Sequence, residues 1–574
     1  MTRKFRRHFS LNKQLEKGTF MKHVIQCLTI IVLFAFIATN AGWGQSSNAV
    51  RNKPAAAYPH DEAFVPVLQQ AASDVFKNPG NSKTTLTISI SSFTNGGNRL
   101  VEKQYTDGSW GWPLDAPPTY GNILGPIAMG LAQAYQQSGV SAQRTSLTNA
   151  GTYLLTKTNN FSPSDGYLAA QLDKFFGGTT YRSHVKTNFY DKLADGTYNR
   201  NGAGTLYNTA SYVALIRSSR ASQGIGNMAA WDIGMGLVGA AKCDVSIEEW
   251  IAGTESEIDE LDGDAYYDVI GLAGALYGLA VVDEEFDPTA GEHAAANSIN
   301  DLAAILAGYQ IAGGGFAWNS NYVIPNDGNE TIQETGYSIL ALNEVNRSLY
   351  LTAIQGAADY VAGVQLGTGG WENYPGEGEN NEVSGEALWG MSVAYPAPVH
   401  NITKDVYYPT IQGGVSDASA EDVITVAPGT YPEMVTITKS LTLLGAQAGV
   451  DPRGGARTPG GALESIIDGG SSRTEGILIK GASDGSRVEN VTIDGFEIHH
   501  ATYANVRFDY ADNSVLKNTI VHHSTTNEGI KTKASCSSLL IQKVLSYDNV
   551  GDGIELGDYG THTNHVIEDC EVFN

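Results

Sequence analysis

Cysteine is scarce, four in 574 residues, which excludes a disulfide-knit scaffold. Cys27 lies inside an apolar run, and Cys243, Cys536 and Cys570 are scattered along the rest without zinc-site spacing. One bridge at most, Cys536 to Cys570, is open to them; buried free thiols fit equally. Basic residues are also few, 36 Lys and Arg against 61 Asp and Glu, for a net charge of −25. General nucleic-acid binding needs a basic footprint and is excluded. Such acidity is compatible with divalent cations and repels an anionic polymer unless a local site reverses the field. Apolar runs are short: the longest, 24–38, falls below the roughly 20 residues of a membrane span. A chain of this length exceeds one hydrophobic core, so two or more domains are expected.

What is present begins with an export signal. A basic stretch over 1–23 precedes the apolar run 24–38 and the small-residue segment TNAGWGQ. Residues 1–45 therefore read as a signal peptide, with Met21 as an alternative start, and 46–57 as a linker. Cleavage leaves 29 basic against 60 acidic residues, a net of −31. The mature chain is expected to be secreted or on the cell surface, without a transmembrane span.

Three matches to Gln-x-x-x-Gly-x-aromatic follow: QYTDGSW at 104–110, QIAGGGF at 310–316 and QLGTGGW at 365–371. The last two sit between helix-like runs, so the unit is helix, turn, helix. Gly ends one helix in a conformation other residues resist, the aromatic packs across the turn, and the Gln amide can bond backbone groups of a neighbouring helix. Helical segments rich in small residues recur around Gly125, Gly166, Ala210, Gly271, Gly336 and Gly385. Six of them suit the inner ring of an (α/α)6 barrel. In this respect residues 58–398 resemble the α/α toroids of the terpenoid cyclase and prenyltransferase superfamily, whose signature is the Gln-Trp repeat.

The resemblance implies a fold rather than a chemistry. The nearest counterpart of the cyclases' Asp-rich motif, DGDAYYD at 262–268, lacks their clustered acids, and no Asp, Cys and His set matches the prenyltransferase zinc site. An isoprenoid cyclase-like enzyme is thus a minor alternative. Acids fall at the expected inner-helix starts, at Asp165, Asp264, Asp268, Glu334 and Glu386, with Trp110, Trp112, Trp318, Trp371 and Tyr374 in the connecting turns. Aromatic faces stack on sugars and paired carboxylates serve as general acid and base. Glu334 and Glu386 are accordingly candidate catalytic groups, and the five aromatics candidate substrate contacts. Helix capping accounts for the same acids.

After residue 398 the pattern changes to short β-branched segments punctuated by Gly, Asn and Asp. The segment 411–449 opens with a helix-like cap and then gives strands VITVA, VTIT and LTLLG. Later segments align with Ile493, Leu516, Ile541 and Ile567 in register, at steps of 23, 25 and 26. A second series starts at Gly476, Asn505, Gly529 and Gly553. Two series on one period predict stacked coils. Residues 399–574 thus resemble the pectin-lyase-like right-handed parallel β-helix proteins, here without a visible closing cap. The methylesterase signatures of that group are missing.

Resemblance to calcium-dependent β-helix lyases implies a sharper site. Asp548, Asp552, Glu555 and Asp558 would bind calcium, and Lys531 would remove a proton beside a uronate carboxylate. The pattern departs from the lyases', with Gly551 in place of one acid and the lysine ahead of the motif, and corner turns demand the same residue types. His499, His500, His522 and His523 recur at one rung position, where solvated turns are expected. The function expected is binding or cleavage of an extracellular polysaccharide, including uronate polymers, by a polysaccharide lyase or glycoside hydrolase. The rival is a non-catalytic adhesin or scaffold, attached to the surface through further C-terminal sequence.

Overall fold

A computed structural model describes residues 82–116, 123–321 and 330–573, the side chains of 82–89 excepted. The expected signal peptide and linker lie outside the described residues. The chain forms an (α/α)6 toroid followed by a right-handed parallel β-helix.

Six helices close the inner ring: Leu124–Ser138, Pro163–Phe176, Met228–Lys242, Asp268–Val281, the first half of Ile332–Gly363, and Asn381–Ala394. Each packs on the next, and the last packs on the first. Asn346 breaks Ile332–Gly363, so 332–345 is inner and 347–363 is outer. Small residues set the ring's tightness. A Cβ on Gly130 would lie 2.0 Å from the Gly385 carbonyl oxygen, and one on Gly234 would lie 2.4 Å from that of Gly274. The segment at Ala210, expected in the ring, belongs to the outer helix Thr209–Ser222. Met228–Lys242, with three Gly and four Ala where Thr209–Ser222 has three Ala and no Gly, takes the inner place and is buried on every side.

The three Gln-Gly-aromatic turns are one structure built three times. The Gln104 amide donates to Gly108 O and Ser146 O at 3.0 and 2.9 Å. Gln310 donates to Gly314 O and Ala353 O, both at 2.8 Å. Gln365 donates to Gly369 O and Ser92 O at 2.7 and 3.0 Å. Each amide thereby joins its own turn to the next outer helix. Gly369 sits at φ +98, and a Cβ there would meet Asn95 O at 2.6 Å; only glycine satisfies both conditions. Trp110 and Trp371 are fully buried and donate their indole N–H to Leu100 O and Val361 O. They are staples of the turns, which corrects their expected role as substrate contacts.

The solenoid opens with an antiparallel hairpin, Val399–Asn401 and Val406–Tyr408, and the helix Ile411–Asp417. Its coils then stack in parallel. Ile424, Leu443, Ile493, Leu516, Ile541 and Ile567 form one ladder, and Val435, Ile477, Val506, Ile530 and Ile554 another. Both expected registers hold. Corner residues repeat in the left-handed region, at Asn490, Asn513, Ser538 and Asn564, and again at His500, His523 and Asp548. Among the described residues the cysteines are free thiols, Cys243 and Cys536 buried and Cys570 half-buried. Among the described residues no helix is long and apolar enough to cross a membrane.

Hairpin and ring meet at the inner helices' C-terminal end. Tyr407 N donates to Gln136 Oε1 at 2.8 Å, and Lys174 pairs with Asp405 at 2.5 Å. A cavity of about 470 Å³ lies between them, over Trp389, Tyr167 and Tyr277.

The staples generate a stability prediction. Gln365→Ala removes an amide serving two carbonyls and should cost about 1–2 kcal/mol. Gly369→Ala should cost about 1–3 kcal/mol through backbone strain and the Asn95 contact. Urea denaturation followed by tryptophan fluorescence measures both, with Gly376→Ala, at an open positive-φ turn, as the strain-only comparison.

Candidate active site

Parallel inner helices bring their N-termini to one rim, and the rim loops are latched in succession. Asn381 N donates to Pro113 O at 2.7 Å, Ile332 N to Asn373 O at 3.0 Å, and Tyr267 N to Trp318 O at 2.6 Å. The Asn227 amide bonds Asp262 O at 2.8 Å. Below the rim the ring's axis is filled by aromatics: Trp231 lies 5.4 Å from Tyr337, and Trp389 lies 5.3 Å from Tyr167.

Carboxyl groups gather above that plug. Glu382 and Glu386 are one helical turn apart on Asn381–Ala394 and so share a face. Glu382 accepts the Trp112 indole N–H at 2.8 Å. Burial pushes its carboxyl up to about 7, with the Trp112 donor and the Arg220 charge pulling the other way. Glu386 is buried. Its Oε2 accepts from the Gln333 amide at 2.8 Å, while its buried Oε1 has no hydrogen-bonding partner. Burial first, and then the Glu382 charge, raise its carboxyl well above the ordinary range. Asp232 is paired with Arg220 at 2.5 Å.

Glu334, the other expected catalytic acid, is buried and accepts from the Thr331 hydroxyl, with burial raising it to about 7. Asp268 accepts from Ser320 N at 3.1 Å and is likewise raised by burial to about 7. Asp165 closes a capping box with Ser162 and pairs with Lys157 at 2.7 Å, and is therefore a helix cap. Asp264 is exposed on its loop, outside the cluster.

The aromatic rim is partly as expected. Trp112 is 38% exposed. Trp318 and Tyr374 stack, with ring centres 5.0 Å apart at 28°. Tyr266, absent from the expected set, is 54% exposed and 5.9 Å from Trp318. Glu382 was also outside that set, although its four-residue spacing from Glu386 was the available signal.

On the solenoid the expected lyase residues do not assemble into an oxygen cage. Lys531 is buried and paired with Glu555, with Glu528 and Asp558 each at 3.3 Å. Burial would lower its ammonium, but these acids outweigh that and hold it above its ordinary value. A lysine so held keeps its proton and is a poor base. Glu555 and Asp558 are thus engaged as its counter-ions. Asp548 is a corner residue beside His523, equivalent to His500 and His523 in the stack, and Asp552 is exposed. The four acids do not fit a calcium site.

The family model for the right-handed beta helix region matches residues 442–574. No curated protein matches the chain. Similar solved structures include a protein from Actinoplanes, 16% identical, covering 53% of this chain and 99% of that one, with a TM-score of 0.36. A type II terpene cyclase, MstE from Scytonema, is 15% identical over 54% of this chain and 98% of its own, with a TM-score of 0.33. An unsaturated glucuronyl hydrolase specific for heparin is 13% identical over 55% and 97%, with a TM-score of 0.34.

The rim acids make stability pH-dependent. Asp268, Glu334 and Glu382 have folded-state values near 7 against ordinary values of 3.8, 4.5 and 4.5. The folded chain therefore holds protons that the unfolded chain releases. The stabilisation is fully present below about pH 4 and is lost as pH rises towards 7. Urea midpoints measured from pH 4 to 8 should fall over this window for these groups, and Glu334→Gln should flatten the slope by up to about 1.4 kcal/mol per pH unit.

Proposed function

We propose that this is an exported protein acting on extracellular polysaccharide, and that the toroid's rim binds the glycan and hydrolyses a glycosidic bond. The observation that carries the reading is the pair Glu382 and Glu386, one turn apart in unlike environments beneath an aromatic rim. Unlike environments separate acid from base. Glu386, buried with a free oxygen, holds its proton and is the general acid. Glu382, supported by the Trp112 indole and the Arg220 charge, ionises first and is the base.

In the reaction Glu386 gives its proton to the leaving-group oxygen as the bond from that oxygen to the anomeric carbon breaks. Water attacks the same carbon and gives its proton to Glu382. Trp112, Trp318, Tyr374 and Tyr266 supply faces for pyranose rings above the pair. The hairpin at the opposite end of the ring leaves the rim as the approach for a polymer. Strong net negative charge favours neutral or weakly charged glycans over polyuronates at this site.

Purified protein should release reducing ends from one member of a panel of neutral and acidic polysaccharides. Glu386→Gln should lower kcat at least about 100-fold while glycan binding persists. Trp112→Ala should raise KM and loosen Glu382. Binding without products in wild type would assign the protein to the adhesin class, and neither binding nor products would sink the proposal. Unsaturated uronide products would replace hydrolysis with elimination and overturn the assigned mechanism.

A further inference from the structure

The outer face of one solenoid sheet carries a cluster that the toroid's chemistry does not use. Along Phe496–His499, Phe496 and Ile498 point inward and are fully buried, so Glu497 and His499 share the outer face. One rung on, His522 pairs in register with His499. Alternation along one strand and the spacing between two rungs therefore set a triangle of carboxylate and two imidazoles.

Ordinarily an outer face is wet. Here the segment 445–464 folds over it: Gly460 N donates to Glu497 Oε2 at 2.7 Å, and Arg457, paired with Glu464, donates to Phe496 O at 3.0 Å. Glu497 is consequently 1% exposed. The expectation of solvated histidines fails for His499 and His522, which are largely buried, and holds for the exposed His523.

We propose that Glu497, His499 and His522 are the protein ligands of a zinc-class divalent transition-metal ion. Glu497 Oε1 lies 3.0 Å from His522 Nε2 and 3.9 Å from His499 Nδ1, and the three ligand atoms all fall within 4.8 Å of one another. Tetrahedral coordination with bonds near 2.0–2.1 Å separates ligand atoms by about 3.3 Å, so side-chain adjustments that close separations of up to 4.8 Å complete the site. His499 is the telling residue. Neither of its buried ring nitrogens has a hydrogen-bonding partner, which is costly for an imidazole and is relieved by a metal.

The surroundings suit the ion. Asp468 lies 3.7 Å from His499 Nε2, on the ring edge away from the site, where an outer carboxylate orients a ligand histidine. His522 Nδ1 is 2.6 Å from His523 Nδ1. When Nε2 of His522 takes the metal its proton shifts to Nδ1, His523 Nδ1 accepts it, and the His523 proton moves to its exposed Nε2. Three protein ligands leave a fourth position open, which suits imidazole and carboxylate sites for zinc rather than the oxygen cage calcium needs.

Untagged full-length protein, stripped with chelator and dialysed, is titrated with zinc chloride by calorimetry, with metal content read by mass spectrometry. Wild type should bind one equivalent and its melting temperature should rise with zinc but not with magnesium. His499→Ala and His522→Gln should each weaken binding at least about 100-fold while retaining the far-ultraviolet circular dichroism of the solenoid, and His562→Ala should bind as wild type does. Absence of zinc binding in wild type, or affinity unchanged in both His499→Ala and His522→Gln, overturns the assignment. Should either variant lose its fold, Glu497→Gln, which keeps the side chain's shape, gives the same reading.

Discussion

Closing six parallel inner helices into one ring obliges six N-termini to meet at a single rim. Each brings unpaired N–H groups and the positive end of a helix dipole, so the rim demands acceptors and tolerates carboxylates. Thr331 with Glu334 and Ser162 with Asp165 meet that demand locally. The ring is too tight to admit water freely between its helices, and the same carboxylates are therefore desolvated. Capping and the proposed chemistry thus draw on neighbouring residues of one rim. A carboxylate accepting from its own cap is structural, whereas Glu386, a turn deeper and buried, has an oxygen that no protein group engages.

The opposite end of the ring is closed by different means. Inner-helix C-termini leave carbonyls exposed, and Arg347 bonds two of them, Val393 O and Ala394 O, at 2.6 and 3.0 Å. The hairpin that starts the solenoid then seats against Gln136 and Lys174. Asp405 at its tip is held well below the usual carboxylate range by His400 and Lys174. Joining the domains there gives the toroid one approachable end.

Much of this was legible in the sequence wherever a residue's role repeats. The Gln-Gly-aromatic turns recur because the same two carbonyls need the same amide, and the ladder of Ile493, Leu516, Ile541 and Ile567 recurs because each rung buries the same position. Roles that depend on what folds over a residue were not legible. Trp112 and Trp110 are two residues apart, yet one is a rim side chain and the other a buried staple, because one indole reaches Leu100 O and the other reaches across to Glu382. The helix at Ala210 carries Arg217 and Arg220 and no glycine, whereas Met228–Lys242 is apolar and holds three glycines, so a signal for outer against inner was present and was missed.

The solenoid shows why residue type alone misplaces an ion site. Acids on one face, Glu528, Glu555 and Asp558, are gathered as ion pairs around Lys531, whose ammonium occupies the place a cation would take. On the neighbouring face burial separates donors from demand. His522 is satisfied by Glu497 and His523, His499 is satisfied by neither, and the segment carrying Gly460 keeps water from making up the difference. A site is marked by coordination capacity left unspent in a buried place, and within this solenoid that condition points to the histidines rather than to the acid-rich corner at Asp548.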